Sequence, residues 1–302
     1  MTIFTSRRKL AEAAEQDLLT GKKQSQLKEV FRRLRKNKLA MIAMAVIVIL
    51  FIVCMLPEVF APYSYSSQSL AERFSYPSLK HPFGTDDLGR DILSRVIYGG
   101  RISLVVSVLA IAIAVVIGCS VGATAAYVGG RFENVVMRLF DIIMAIPSFL
   151  LAVSVQAMLG SGIQNAVIAI AVANVPLFAR VARSAVLTVK DQEFVEAARS
   201  IGAGNFRIIF GEILPNTLAT IIVNATLMLG AAILTISSLS FVGLGVQIPI
   251  PEWGSILASG RNYIREFYPL ILFPGLAIMV TLFAFNLVGD GLRDALDPKL
   301  KQ

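Results

Sequence analysis

The sequence predicts an all-α, polytopic membrane protein with six transmembrane helices and both termini in the cytoplasm. Three observations predict it. Of 302 residues, 56% are apolar and only 16% are charged, whereas soluble domains sit near about 45–50% apolar and about 25% charged. The apolar residues gather in long runs without Asp, Glu, Lys or Arg, and a bilayer core of about 30 Å needs roughly 20 such residues as helix. The basic residues are unevenly placed: 21 of the 28 lysines and arginines fall on one side of the resulting topology and 7 on the other. The basic side is the cytoplasmic one.

The first run, Leu39–Leu56, follows a tail (residues 1–38) with 11 lysines and arginines. It lies too late and runs too long for a cleaved signal sequence, so it is read as a retained span. Within the tail, "LKEVFRRLRKNK" puts Leu27, Phe31 and Leu34 on one helical face among basic residues, the pattern of a helix lying in the membrane interface. Ile102–Gly130 is the second span. Ile142–Ala179 is too long for one helix, and Gly160-Ser161-Gly162 divides it into spans three and four. The fifth span starts after Pro215 and ends before the Gly/Pro-rich "SFVGLGVQIPIPEWG", which reads as an external loop with Trp253 as an interfacial anchor. Phe267–Gly289 is the sixth. The chain thus divides into the basic tail 1–38, the first span and external loop 39–100, a core of five spans over 101–290, and a cytoplasmic tail 291–302.

Topology accounts for the net charge of +8, so no nucleic-acid partner is expected. Cys54 and Cys119 lie inside apolar runs and read as packed or lipid-facing thiols. The single histidine, His81, has no companion ligand, so no metal site is expected.

Inside the spans, Gly118, Gly122 and Ala126 share a face that lets two helix backbones approach closely. Pro147 and Pro176 are expected to kink spans three and four. No span centre carries an ionisable residue, which argues against ion coupling. The amides that remain, Asn174 and Asn224 foremost, either line a polar passage or bond neighbouring helices. The chain contains no G-x-x-x-x-G-K-[ST] phosphate loop, so any nucleotide that drives it is hydrolysed by another chain.

Two polar segments stand out. In "HPFGTDDLGRDILSRVIYGGRISL", Thr85 or Asp86 is expected to cap a short helix with Leu88, Ile92 and Val96 on one face and an Asp91–Arg95 pair on another. This is either a helix resting on the outer membrane surface or a docking surface made by Asp86, Asp87, Arg90 and Asp91. In "EFVEAARSIGAGNFRIIFGEILPN", Phe194, Ala197, Ala198 and Ile201 are expected on one helical face, and Gly202 suits the left-handed residue that ends a helix. Asn205 then caps a second short helix with Phe206, Ile209, Phe210 and Ile213 apolar. This helix–glycine turn–helix is an interfacial re-entry, a DNA-reading unit or a lever docked on a cytoplasmic protein. Spans anchoring both of its ends leave little reach for a DNA groove, and the paired alanines suit a helix seated deep in a partner's cleft.

"EAARSIG" followed by "LPN" resembles the EAA loop of ABC-transporter permeases: Glu196, Ala197, Ala198, Gly202, Leu214 and Pro215 match, while Glu212 stands where the pattern has an apolar residue. "FRRLRKNKLA", "GGRFENVVMRLFDIIMAIPSFLL", "SLSFVGLGVQIPIPEWG" and "FNLVGDGLRDALDP" extend the resemblance to the C-type permease of the dipeptide/oligopeptide/nickel importers, from about residue 28 onward. It implies a type I importer permease in a bacterial or archaeal cytoplasmic membrane, paired with a homologous B-type permease, two cytoplasmic ABC ATPases and an extracytoplasmic solute-binding protein. It implies that loop 187–215 couples to an ATPase through Glu196, Ala197, Ala198 and Gly202, that ATP and magnesium are held by the partner subunits with no cofactor here, and that this chain is not itself an enzyme. Peptides are the expected cargo, with nickel or another small solute the alternative within the family. An ATP-independent secondary carrier is the alternative outside it.

Overall fold

The computed structural model describes residue 32, residues 34–247 and residues 249–296. Among these there is no β-strand, only an isolated bridge between Thr85 and Asp91. Leu27 and Phe31 of the expected interfacial helix lie outside the described residues. Leu34 is buried against Ala40 and Ala295.

Nine helices of eight or more residues make the described fold. They are α1 (Lys38–Met55), α2 (Ile92–Val128), α3 (Gly130–Met144), α4 (Ser148–Leu159), α5 (Ile163–Val189), α6 (Glu193–Ser200), α7 (Leu214–Phe241), α8 (Trp253–Gly260) and α9 (Pro269–Leu296). By length and composition five helical runs are able to cross a membrane, and a sixth crossing arises if α3 and α4 count as one bent span. The expected all-helical architecture is present, and the expected six spans are matched when the bent α3–α4 pair is counted as one. An even number of crossings places the first and last spans' outer ends at one end of the bundle. That end also holds α6 and, after the role expected of that loop from sequence, is called the coupling end below.

Several boundaries differ from expectation for local reasons. The first span begins at Lys38 because the Asn37 side chain accepts a hydrogen bond from the Ala40 N–H at 3.1 Å. The second begins ten residues early, at Ile92, capped by Asp91 rather than by Thr85 or Asp86. The expected outer-surface helix is thus the first turns of α2 itself. The helix passes through Gly99 and Gly100 because their missing side chains make room: a Cβ on Gly100 would lie 2.8 Å from the Trp253 ring. The third span starts at Gly130 and bends by 87° between α3 and α4. Pro147 stands at the bend with φ −51°, as the residue preceding α4. Its ring disfavours helical geometry at Ile146, so the chain must break there. α5 continues through Pro176.

The interior has three main regions. Midway, α2, α5 and α7 pack through small residues such as Ala110, Ala114, Ala166 and Ala171 around Phe178. The expected close approach is realised: a Cβ on Gly118 would meet the Val175 carbonyl oxygen at 2.6 Å, and one on Gly122 would run into the backbone of Ala179. At the far end, Trp253, Ile256, Phe267 and Leu270 gather with Ile92, Leu104 and Cys54. At the coupling end, Val195, Ile208, Ile209 and Ile213 pack on Ala123, Ala126 and Val186. Cys54 and Cys119 are buried free thiols.

Candidate functional site

The coupling end carries the first candidate. α6 follows Gln192, whose extended backbone (φ −84°, ψ 154°) starts the helix. Glu193 and Glu196 occupy the first turn and Arg199 the last, the order that favours the helix dipole. Gly202 (φ +81°) ends it. The Ala203 N–H donates to the Ala198 carbonyl (3.1 Å) and the Gly202 N–H to that of Arg199 (3.0 Å), the paired bonds of a Schellman turn. The turn is therefore built as the sequence predicts.

The faces are rotated from the expected ones. Val195 is fully buried, with Phe194 and Ala198 half-buried beside it, while Ala197 and Ile201 are exposed. The physical reason is that the seat formed by Ile208, Ile209 and Ile213 receives Val195, and the Gly202 turn swings Ile201 outward to 79% exposure. The result is an exposed stripe of Glu193, Glu196, Ala197 and Ser200 at helical spacing. The second short helix, Asn205–Arg207, is preceded by Gly204 as its cap rather than capped by Asn205. Phe206 is 76% exposed, outside the packed face made by Ile209 and Ile213. From Ile208 to Ile213 the backbone widens into a π turn that leads straight into α7. Pro215, which has no N–H to donate, sits in the first turn of α7 just after this widening.

One residue of this end was missed from sequence. Tyr127, in the last turn of α2, accepts from Arg199 Nη2 (3.4 Å) under a guanidinium 5.8 Å from its ring centre, and its hydroxyl donates to Asn205 Oδ1 (3.4 Å). The bond to Tyr127 raises the Arg199 pKa above its ordinary value, so the charge is permanent. Tyr127 resembles any aromatic at a membrane boundary, and nothing in its sequence neighbourhood distinguishes it.

The far-end segment is assembled differently from expectation. Gly89 (φ +70°) reverses the chain and brings Asp86 back over the start of α2. There Asp86 Oδ1 accepts the N–H groups of Leu88 and Arg90, each at 2.9 Å, and Oδ2 meets Arg90 Nε at 2.6 Å. Arg95 pairs with Asp86 at 3.5 Å, not with Asp91. Asp91 instead caps α2 through the Ser94 N–H (2.7 Å) and contacts His81 Nδ1 (2.9 Å). His81 is therefore a buried part of this clasp rather than a plain loop residue. Asp86, Arg90 and Asp91 are buried, their polar groups spent inside the segment, and only Asp87 keeps a side chain 31% exposed.

Asn174 and Asn224 are not brought together. Asn174 donates to the Ile170 carbonyl (2.8 Å) and lines a cavity of about 270 Å³ with Met144, Ile146, Pro147 and Met228, at the α3–α4 bend. Asn224 donates to the Thr220 carbonyl (2.8 Å) and lines another of about 390 Å³ with Val223, Leu227 and Arg293.

A second missed residue is Glu252, at 0% exposure. Its Oε1 accepts from Ser103 Oγ (2.8 Å) and Ser237 Oγ (3.0 Å), and its Oε2 from the N–H groups of Gly254 (2.8 Å) and Ser255 (3.1 Å). The adjacent Trp253 is not an interfacial anchor: it is 1% exposed and its Nε1–H donates to the Val96 carbonyl at 2.8 Å. "PEWG" offers a Glu beside a Gly/Pro-rich stretch, and a signal for its burial exists only in the three-dimensional neighbourhood.

Comparison with known proteins follows this geometry. The family described as binding-protein-dependent transport system inner membrane component matches residues 114–302. The chain belongs to this family. The N-terminal TM domain of oligopeptide transport permease C matches residues 25–82. The permease is 46% identical over 274 residues to the dipeptide transport system permease protein DppC of Alkalihalophilus pseudofirmus, covering 91% of this chain and 90% of that one. It is 42% identical over 302 residues to the glutathione transport system permease protein GsiD of Escherichia coli O6:K15:H31, covering 100% of both. Its fold is similar to a chain of the inward-facing MetNI methionine ABC transporter, with a TM-score of 0.55 at 20% identity, over 68% of this chain and 98% of that one. The permease is thus a multi-pass inner-membrane subunit of an ABC importer, with the type I permease fold that the motifs implied.

Proposed function

We propose that this permease carries di- or oligopeptides, glutathione-type tripeptides among them, through a pathway of which it forms half and a homologous B-type permease the other. A solute-binding protein delivers the cargo at the far end. Two ATPases at the coupling end hold ATP and magnesium and drive the cycle. The relatives' cargoes support the peptide reading.

The coupling role rests on one observation, the exposed stripe of Glu193, Glu196, Ala197 and Ser200 on a helix otherwise clamped to the bundle by Val195. Its small side chains let a groove close around the backbone, and its two carboxylates offer acceptors to basic groups. A helix clamped this way transmits a push: α6 bears on Ile208–Ile213, which continues into α7, and Arg199 bears on Tyr127 of α2. In the pathway, the Asn174 amide lies at the break between α3 and α4, where it is placed to meet the amide groups of a peptide.

The test uses the complete complex in lipid vesicles. Glu196→Lys and Ala197→Trp should assemble normally while uptake and binding-protein-stimulated ATP hydrolysis fall by about tenfold or more, the scale of losing a docking hot spot. Normal uptake in both variants would sink the coupling role. Failure of the parent complex to take up either a labelled dipeptide or glutathione would sink the peptide assignment.

A further inference from the structure

We propose that Glu252 is a positioning residue that keys helix α8 to spans α2 and α7, so that α8, at the far end, follows those two spans during transport. The proposal rests on the importer reading above and adds to it a means by which a docked binding protein influences the ATPases.

The geometry of Glu252 exceeds what its local duty requires. It caps α8, but Ser, Thr, Asp and Asn are the preferred caps, and any of them would satisfy the Gly254 and Ser255 N–H groups. Only Oε2 does that work. Oε1 points away from the helix, to the hydroxyls of Ser103 on α2 and Ser237 on α7. Burying a carboxylate is costly unless its contacts are complete, and in some folds such buried groups serve to fix register. Here four donors from three elements meet the two carboxyl oxygens.

The seat is close as well as polar. A Cβ on Gly254 would run into the carbonyl of Ser237, and one on Gly99 would lie 3.4 Å from the Glu252 backbone. The neighbouring Trp253 adds its bond to the Val96 carbonyl, so α8 is held to α2 twice.

The two spans gripped by Glu252 are the two on which the coupling segment bears. α2 is one unbroken helix of 37 residues. At 1.5 Å per residue the 24 residues from Ser103 to Tyr127 span about 36 Å. Tyr127 holds Arg199 at that end. α7 runs from the turn under Val195 to Ser237 in the same way. A displacement of α6 therefore reaches both partners of Glu252 through rigid helices.

Replacing the serines tests the tie while leaving the cap intact. Ser103→Ala, Ser237→Ala and the double variant are assembled into the complete complex. ATP hydrolysis is measured per assembled complex, with and without the cognate binding protein loaded with a dipeptide. The double variant should lower the stimulation ratio by at least about tenfold, since the loss of even one buried hydrogen bond can be worth about that factor, with each single variant intermediate and the unstimulated rate within about twofold of the parent. A merely structural role would reduce the amount of complex and leave the ratio per complex unchanged. An unchanged ratio in the two single variants overturns the proposal even if the double variant fails to assemble. A parent complex that does not respond to binding protein overturns the importer reading instead, and that outcome is visible before any variant is made.

Discussion

Adding a single methyl group at Gly122 or Gly118 should force α2 and α5 apart. At Gly118 the new Cβ would sit 2.6 Å from the Val175 carbonyl oxygen and 2.8 Å from Phe178 Cβ, and at Gly122 it would run into the backbone of Ala179. Ordinary contact needs about 3.4 Å or more, so the axes must separate by somewhat under an ångström at Gly118 and by more than one at Gly122, and backbone cannot rotate aside as a side chain can. A gap of about 0.5–1 Å forfeits a quarter to a half of each dispersion contact along the seam, and overpacking of this kind costs about 1–3 kcal/mol. In a membrane these contacts are the main force between helices. The assay is thermal unfolding of the purified complex in detergent, comparing Gly118→Ala and Gly122→Ala with Gly275→Ala. Gly275 lies in α9, and its Cβ would find nothing nearer than Leu257 Cδ2 at 4.0 Å. The first two variants should lower the midpoint, Gly122→Ala more; Gly275→Ala should leave it unchanged or raise it, since alanine favours helix by about 1 kcal/mol. Equal midpoints for all three would refute the close-approach argument.

Two further outcomes concern the far end. Asp91→Ala removes the cap of α2 and the partner of His81, and should destabilise the protein by about 1–2 kcal/mol through the cap alone, read as a lowered unfolding midpoint; an unchanged midpoint would count against Asp91 as the cap. The pair of Glu72 and Lys80 should be insensitive to pH between about pH 8 and about pH 9: Lys80, with a smaller share from His81, holds the Glu72 carboxyl below its ordinary 4.5, and Glu72 holds Lys80 above its ordinary 10.5. The carboxylate's contribution is present above its unfolded value and lost only as pH falls through the depressed one, while the ammonium's is present below its unfolded value and lost only as pH rises through the raised one. Glu72 also lies 3.5 Å from His81 Nε2, so the midpoint difference between the parent and Glu72→Gln is compared at about pH 8 and about pH 9, where imidazoles are neutral; it should be equal at the two, and a difference that changes between them would contradict the pairing.

What could be read from the sequence divides along a physical line. Hydropathy runs revealed six spans because lipid imposes a length on every crossing, and the Gly118–Gly122 spacing revealed a helix contact because small residues at that period have few other uses. Gly202 was legible for the same reason: a left-handed residue after an amphipathic stretch ends a helix. The failures share a different cause. Asp91 rather than Asp86 caps α2 because Gly89 folds the loop back on itself, which no periodicity records. Val195 rather than Ala197 is the buried residue of α6 because its seat comes from Ile208 and Ile213, beyond the turn. Glu252 and Trp253 find their partners Ser103 and Val96 about 150 residues away along the chain, and a charged residue beside a Gly/Pro-rich loop looks like solvent-facing sequence until those partners are in place.

The right-angled bend after α3 has a consequence for biogenesis. α4 has 12 residues, a reach of about 18 Å against a hydrocarbon core of about 30 Å. One helix of that length cannot bridge the core, so the break at Pro147 falls within the membrane's depth. Interrupted backbone is tolerated at such depth only beside protein or a water-filled space, never against acyl chains. No residue of α3 is buried within the chain. A permease made without its companion would thus offer lipid a surface that lipid cannot solvate, a ready mark for the proteases that clear orphan subunits. On the proposed reading, the bend that lines the cargo path also ties this chain to assembly with its companion.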